Sequence, residues 1–463
     1  MTFRVGRAAS LVALGLFAAT VAQPEPAPPR VVTLTTAQAQ ILARDAYAAG
    51  DHALARALAV RLLEADPNDP RALLIVTATA PALGDPARGR SAGRAAWAAA
   101  KGAPLLRYEI ARHTARAALS EGKPEMAQLW LRRAVDVAPD AAAVSRTAED
   151  HRRIAAQRRF SWKIDLAVTP TSNLNGGASG DSLTVNGTLP IGSLSGAAQA
   201  LSGVRGSAQV RLAWKLPPGP RHRAEASLRL YSTANQLSSE ARALAPEARG
   251  SDFDFSTVEA ALALDWAALP QARPVRLTFG GGRSWFGGAA LGPHLRVGVD
   301  YPLITRADAA LRVGLTGERQ WRSGGQIDAA VLRLDGGRHM AGGGRVMFGA
   351  SFRDVSGSNA NATFRAAGVE VAWTPVQPLA GAEITLRASA GWRGHDFYTL
   401  GPIGLTDGRQ DRTLGLTVEA TLPSLSMMGY APRIALQGER VRSNVSRFDT
   451  RTLALTVGVA SRF

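Results

Sequence analysis

The run Phe160-Ser161-Trp162-Lys163-Ile164-Asp165-Leu166-Ala167-Val168 alternates apolar and polar residues and ends in the turn-rich stretch Thr169-Pro170-Thr171-Ser172-Asn173-Leu174-Asn175-Gly176-Gly177. Successive side chains of a strand point to opposite faces, so a period of two marks a strand with one apolar face. The sequence before it has another period. From about Thr35 to Arg159 it is rich in Ala, Leu and Arg at helical spacing, so Phe160 is where one fold stops and another begins.

Downstream the alternation recurs, in Arg223-Ala224-Glu225-Ala226-Ser227-Leu228-Arg229-Leu230-Tyr231, in Glu383 to Arg393 and in Thr413 to Leu422. Counting such runs predicts about fourteen strands, near 160–168, 205–215, 222–233, 254–266, 274–286, 293–301, 308–321, 326–335, 343–354, 363–373, 381–394, 411–422, 431–442 and 450–463. A soluble sandwich alternates too. What separates a membrane barrel from it is independent of alternation: an even number of roughly ten-residue strands, with long connections on one side and short ones on the other. If the first strand runs outward, the external connections include the longest, about 169–204, 234–253 and 395–410. The others are short and mostly proline-marked, as in LPPGP at 216–220 and TPVQP at 374–378. The inward-running strands end in Trp214, Trp266, Tyr301, Trp373 and Phe463, each on the apolar parity of its strand. Rings at one depth are the aromatic girdle of a bilayer boundary, and a sandwich gives no reason for them. The last strand, Arg451 to Phe463, resembles the terminal strand recognised by barrel-assembly machinery.

The start of the chain supplies the route to a membrane. Met1 to about Ala22 has the form of a secretory signal, with Arg4 and Arg7, an apolar core from Ala8 to Ala19 and small residues at Thr20-Val21-Ala22. Its apolar core is shorter than the roughly twenty residues a membrane anchor needs. A Pro-rich linker follows at 23–34, then a helical domain at 35–159 and the barrel at 160–463. The chain has 463 residues, no cysteine and a formal charge of +17, which excludes disulfides and thiolate chemistry. Such a charge raises nucleic acid as a partner, but a secreted chain rarely meets one.

The helical region repeats itself. Gly50-Asp51 is followed by Ala55 and Pro67; Gly122 is followed by Ala127, Ala134 and Pro139; a degenerate middle copy starts at Leu83-Gly84-Asp85 and carries Gly89 and Gly93. The steps from Gly50 to Gly84 and from Gly84 to Gly122 are 34 and 38, the period of tetratricopeptide repeats, in which small residues let paired helices approach and a proline ends the second helix. The concave face of such an array is a docking surface for a peptide or protein; an Ala-rich bundle without a groove is the alternative. Gly89-Arg90-Ser91-Ala92-Gly93 fits the hydrolase pattern GxSxG but has no strand before it, so it fails as a nucleophile elbow.

On the polar parity of the strands stand Arg211, Arg229, Arg312, Arg333, Arg345, Arg353, Arg387 and Arg393, with Glu225, Glu259, Glu318, Glu370, Glu383 and Glu419. Facing a lumen, these would be mutual cross-strand pairs lining it or a wet path with excess arginine. The seven histidines show no metal-ligand spacing, and neither a Walker loop nor HExxH occurs. The expectation is no enzyme, no metal and no cofactor.

A signal segment, a short tetratricopeptide-like domain and a barrel opened by a strand that leads into Pro170-Thr171-Ser172-Asn173-Leu174-Asn175 resembles the surface lipoprotein assembly modulator (Slam) family, whose barrel begins with P-x-S-N-[hydrophobic]-N. The resemblance covers nearly the whole mature chain and carries the signature onto Pro170, Ser172, Asn173 and Asn175. It implies a monomeric outer-membrane translocator with its N-terminal domain in the periplasm, taking surface lipoproteins or soluble scavenging proteins from periplasmic chaperones to the cell surface. Two alternatives stay open, a polysaccharide exporter and a passive channel with an accessory domain. The fold expected is therefore α + β: helical tetratricopeptide-like repeats, then a transmembrane antiparallel barrel of about 14 strands.

Overall fold

The computed structural model describes residues 34–188, 191–269 and 272–461. The expected signal segment, almost all of the Pro-rich linker and Phe463 lie outside them. Seven helices come first: α1 (Thr36–Ala48), α2 (His52–Ala65), α3 (Pro70–Thr79), α4 (Pro86–Ala99), α5 (Pro104–Ser120), α6 (Pro124–Asp136) and α7 (Ala141–Gln157). Their starts are written in the sequence, because the first amides of a helix need an acceptor or a proline. Asp51 accepts from Leu54 N–H at 2.9 Å, Asp69 from Arg71 N–H at 2.9 Å, Asp140 from Ala143 N–H at 2.6 Å, and Pro104 and Pro124 open α5 and α6.

The helices pair as α1–α2, α3–α4 and α5–α6, with α7 closing the stack. Ala55, Ala127 and Ala134 are fully buried where the paired helices meet, and Pro67 and Pro139 stand just beyond the ends of α2 and α6. Gly50 and Gly122, expected among the packing residues, do something else. Together with Gly84 they hold φ of +83, +77 and +75 at the turn inside each repeat, and a Cβ there would meet nothing. Left-handed backbone, which glycine adopts without penalty, is what fixes them. The packing glycines are Gly93, where a Cβ would come 2.0 Å from Thr114 Oγ1, and Gly89, where it would come 2.6 Å from Ala80 Cβ. Adjacent repeats are also tied by ion pairs one repeat apart, Arg56–Asp85 at 3.2 Å and Arg90–Glu121 at 2.5 Å.

From Phe160 the chain forms β1 (Phe160–Thr171), two short strands β2 (Ser182–Leu183) and β3 (Gly192–Ser193), then β4 (Gly203–Lys215) and β5 (His222–Leu237). The six-residue α8 (Ser239–Leu244) follows, then β6 (Phe255–Trp266), β7 (Val275–Phe286), β8 (Ala289–Thr305), β9 (Ala309–Arg322), β10 (Gly325–His339), β11 (Arg345–Gly357), β12 (Phe364–Thr374) and β13 (Glu383–His395). Last come short β14 (Tyr398–Leu400) and β15 (Ile403–Leu405), then β16 (Arg409–Thr421), β17 (Tyr430–Ser443) and β18 (Thr450–Ser461). Omitting the four short strands, they close into a 14-strand antiparallel barrel in the order β1-β18-β17-β16-β13-β12-β11-β10-β9-β8-β7-β6-β5-β4. Every strand expected from the alternation is present.

Residues directly opposite in an antiparallel pair share a face. Following the ladder from Lys163↔Arg211 through Arg211↔Arg229 and Arg229↔Glu259 round to Ala167↔Gly458 closes on itself with one parity inward. The other parity carries exposed apolar side chains right round the barrel, among them Leu166, Leu262, Leu295, Leu332, Val369, Leu416 and Leu453. No water-soluble surface bears an apolar belt of that extent; it faces lipid, with the charged parity inside.

At the end away from the helices, the connections 172–202, 238–254 and 396–408 are long, as expected. The expectation fails between β7 and β10, where Gly287-Gly288 and Ser323-Gly324 close tight hairpins at that same end. The glycines at 280–282 pair regularly with β8, and the bulge between β7 and β8 falls beyond them at Ser284/Trp285.

Candidate functional site

Three parts make up the site: the lumen, the groove of the repeats at one mouth, and the connection after β1 at the other. All eight lumen candidates point inward: Arg211, Arg229, Arg312, Arg333, Arg387, Arg393, Glu383 and Glu419. Most of the lumen's charge is paired across strands. Arg211 lies 3.6 Å from Glu225, Arg229 and Arg296 share Glu259 at 3.9 and 2.8 Å, Arg312 reaches Asp300 and Asp335, Arg433 lies 3.8 Å from Glu419, and Arg387 bonds Glu370. Arg211 and Arg312 nevertheless keep 55% and 54% of their side-chain surface exposed. The lumen is therefore reachable by water, and such pairs act more as a hydrated lining than as a rigid core.

Trp214, Trp266, Tyr301 and Trp373 face outward near the end of the barrel that bears the helices, each more than a third exposed. Phe160 joins them, its ring 5.1 Å from that of Trp214. Sequence reasoning missed a second pair at the other end, Trp321 and Trp392, also exposed and outward. The signal was there: each stands on the apolar parity near the end of an outward strand.

At the helical mouth, alternate helices α1, α3, α5 and α7 line a groove of about 1080 Å³. Tyr47, Leu74, Ile75, Leu105 and Tyr108 supply its apolar part, and Arg44, Arg112, Arg116 and Arg153 outnumber Glu109 and Asp150. Arg112 holds Asp150 at 2.8 Å. His113 sits edge-on to Tyr47 at 5.8 Å, and burial, helped by Arg116 and Arg112, pushes its imidazole down to about 4.

The groove is fixed to the barrel by side chains that no motif marks. Asp136, at the end of α6, accepts from the backbone N–H groups of Met428 at 2.6 Å and Gly429 at 3.3 Å in the turn before β17. Arg132 lies 4.5 Å over the Tyr430 ring and donates to Ser461 Oγ at 3.4 Å. On the other side Lys215, at the end of β4, donates to the last carbonyls of α7, Ala156 O at 2.8 Å and Ala155 O at 3.4 Å, where a helix end favours a cation. Met428 has φ of +54, an uncommon conformation for a residue with a side chain, and Asp136 bonds to that turn.

At the far mouth the four signature residues have distinct jobs. Pro170 lies in β1 opposite Val204. Ser172 exchanges two hydrogen bonds with Leu453 of β18, its N–H donating to Leu453 O and its Oγ accepting from Leu453 N–H, both at 2.9 Å. Asn173, 6% exposed, donates to Gly177 O and accepts from Gly177 N–H, both at 2.9 Å. Asn175 donates to Ala197 O and Gln199 O and accepts from Gly177 N–H and Leu201 N–H at 2.8–3.1 Å. A Cβ on Gly177 would lie 2.0 Å from Gln199 O, so only glycine permits this approach. The knot thus binds the start of the 172–202 connection to its own return limb. Beyond it the connection bonds to neighbouring loops: Ser179 N–H donates to Asp449 O at 2.8 Å and Asn186 N–H to Asn444 O at 2.7 Å. Among the described residues there is no group of acidic, histidine or cysteine side chains that could hold a metal.

No family model and no curated protein matches the chain. Among solved structures, the helical part is similar to the type III secretion translocator chaperone SycD of Yersinia enterocolitica, at 19% identity and a TM-score of 0.24 over 26% of this chain and 83% of that one. The barrel is similar to OprB of Pseudomonas putida, at 10% identity and a TM-score of 0.38 over 68% of this chain and 96% of that one. It is also similar to a bacterial polysaccharide outer membrane secretin, at 11% identity and a TM-score of 0.29 over 65% of this chain and 98% of that one.

Proposed function

We propose that the chain is a non-enzymatic outer-membrane translocator for polypeptide, of the kind the Slam resemblance implies, with its helical domain in the periplasm. One observation carries this reading: a groove with the size and mixed apolar and basic lining to hold a peptide is held at one mouth of a water-reachable lumen, by Asp136 on one flank and Lys215 on the other. Cargo arrives partly unfolded from periplasmic chaperones, contacts the repeats and passes with help from the barrel and its external connections. The cargo class is surface lipoproteins or secreted scavenging proteins.

Deleting the gene and shaving intact cells with protease tests this. The expected outcome is loss of one or a few surface proteins, recovered in the periplasmic fraction and restored by the gene in trans. An unchanged surface proteome would sink the reading.

A further inference from the structure

We propose that the lumen wall near the far mouth carries a binding site for a small oxyanion group, carboxylate or phosphate, held between Arg353 of β11 and Arg393 of β13. The two face inward in one row of the ladder, Arg353↔Ala366 and Ala366↔Arg393, with only an alanine between them. Neighbouring strands are about 4.8 Å apart, so their Cα atoms stand about 10 Å apart and both guanidinium groups can turn in over the Ala366 methyl. That span suits one oxyanion taken by two forks.

The charge around them is unbalanced. Arg211, Arg229, Arg276, Arg296, Arg312, Arg387 and Arg433 each have a lumen carboxylate in ion-pair range, whereas among the described residues Arg333, Arg353 and Arg393 have none, and the last two share one row. Asp411 stands next to Arg393 in the row, but its carboxylate accepts three hydrogen bonds from Arg409, at 2.6, 3.0 and 3.1 Å. Glu318 faces the site from β9 with Arg296 as its ladder neighbour, and Arg322 adds another cation. Like charges one strand apart repel, and an anion between them removes that cost.

The surroundings are shaped for an occupant. Arg353, Arg322, Gln320, Glu318, Asn359 and Phe364 line a recess of about 400 Å³ under the turn at Ala360–Ala362; Arg393 stands outside that lining, its guanidinium 4.8 Å over the ring of Phe364 at the recess wall, which orients it.

The test uses the full chain in planar bilayers, with inorganic phosphate and hexaglutamate as blockers of chloride current. Phosphate is expected to block the wild type saturably, with R353Q/R393Q raising the half-blocking concentration about tenfold or more and K101Q, on an exposed turn of the helical domain, leaving it unchanged. Block by hexaglutamate below the phosphate concentration assigns the site to carboxylates of a passing chain; the reverse order assigns it to free phosphate. Equal block in R353Q/R393Q, absence of block in the wild type, or absence of any conductance would each overturn the proposal. Heat-modifiable gel mobility checks folding. If R353Q/R393Q does not fold, R353K/R393K takes its place; it keeps the charge but loses the fork, so it must still weaken block. The proposal needs only a water-reachable lumen, so its failure is distinct from failure of the surface-proteome test.

Discussion

Asn175 shows how much one side chain of the signature does. Its amide makes four hydrogen bonds, three of which join Asn175 to residues 197–201, a contact across more than twenty positions, while the fourth holds Gly177. Asn175→Ala strands those backbone groups at a cost of about 1–3 kcal/mol, felt locally because the barrel ladder is untouched. We expect the 172–202 connection to become protease-sensitive while the barrel keeps its heat-modifiable mobility; loss of the barrel band would show that the knot is needed for folding. His113 gives a residue-scale dependence on pH. Its folded pKa, about 4, is below the ordinary 6.5, so the unfolded chain binds the extra proton between those values. The contribution to stability is full above about pH 6.5 and is lost as pH falls toward 4. Thermal melts of the full chain followed by helical circular dichroism should show the loss, and His113→Gln should shrink it. His151, lowered to about 4 chiefly by burial, leaves a remainder. A melt independent of pH in that window would contradict this.

At the scale of elements, the sequence showed the strands because each leaves a period-two trace, and the helical region because Ala, Leu and Arg recur at helical spacing and Gly50, Gly84 and Gly122 mark a repeat. What it hid were contacts between elements. The partners of Asn173 and Asn175 lie in a connection without periodicity, and β2–β3, β14–β15 and α8 are too short to leave one. The Met427-Met428-Gly429-Tyr430 turn has a methionine where left-handed backbone favours glycine or asparagine, so nothing marked it as the seat of α6. Asp136→Ala removes the acceptor of two backbone N–H groups there. The expected result is faster proteolytic release of the helical domain from the folded barrel, with helical melting unchanged. Release at the wild-type rate would assign the attachment to Arg132 and Lys215 instead.

For the whole molecule, the seam between β1 and β18 is the place where the chain closes on itself. Its rungs, Ala167↔Gly458, Val168↔Val457 and Thr171↔Ala454, lie toward the far mouth and are continued by the Ser172–Leu453 exchange. At the other mouth the helical domain grips both flanks, Lys215 on β4 and the turn before β17. Sequence patterning carried the strands and their order but not this bracing, which depends on single side chains meeting across 59 positions at Lys215 and 292 at Asp136.

That geometry bears on the order of events in folding. Most neighbouring strands meet through local hairpins, as Arg319 and Asp328 do nine positions apart, whereas Thr169 and Thr456 meet across 287. Five doublings of loop length separate the two, so closing the ring carries about 3 kcal/mol more chain entropy than closing a hairpin. A domain already bound to both edges turns that long search into a short tethered one. Asp136→Ala should then slow the last step of refolding into detergent, with the hairpins forming at their usual rate.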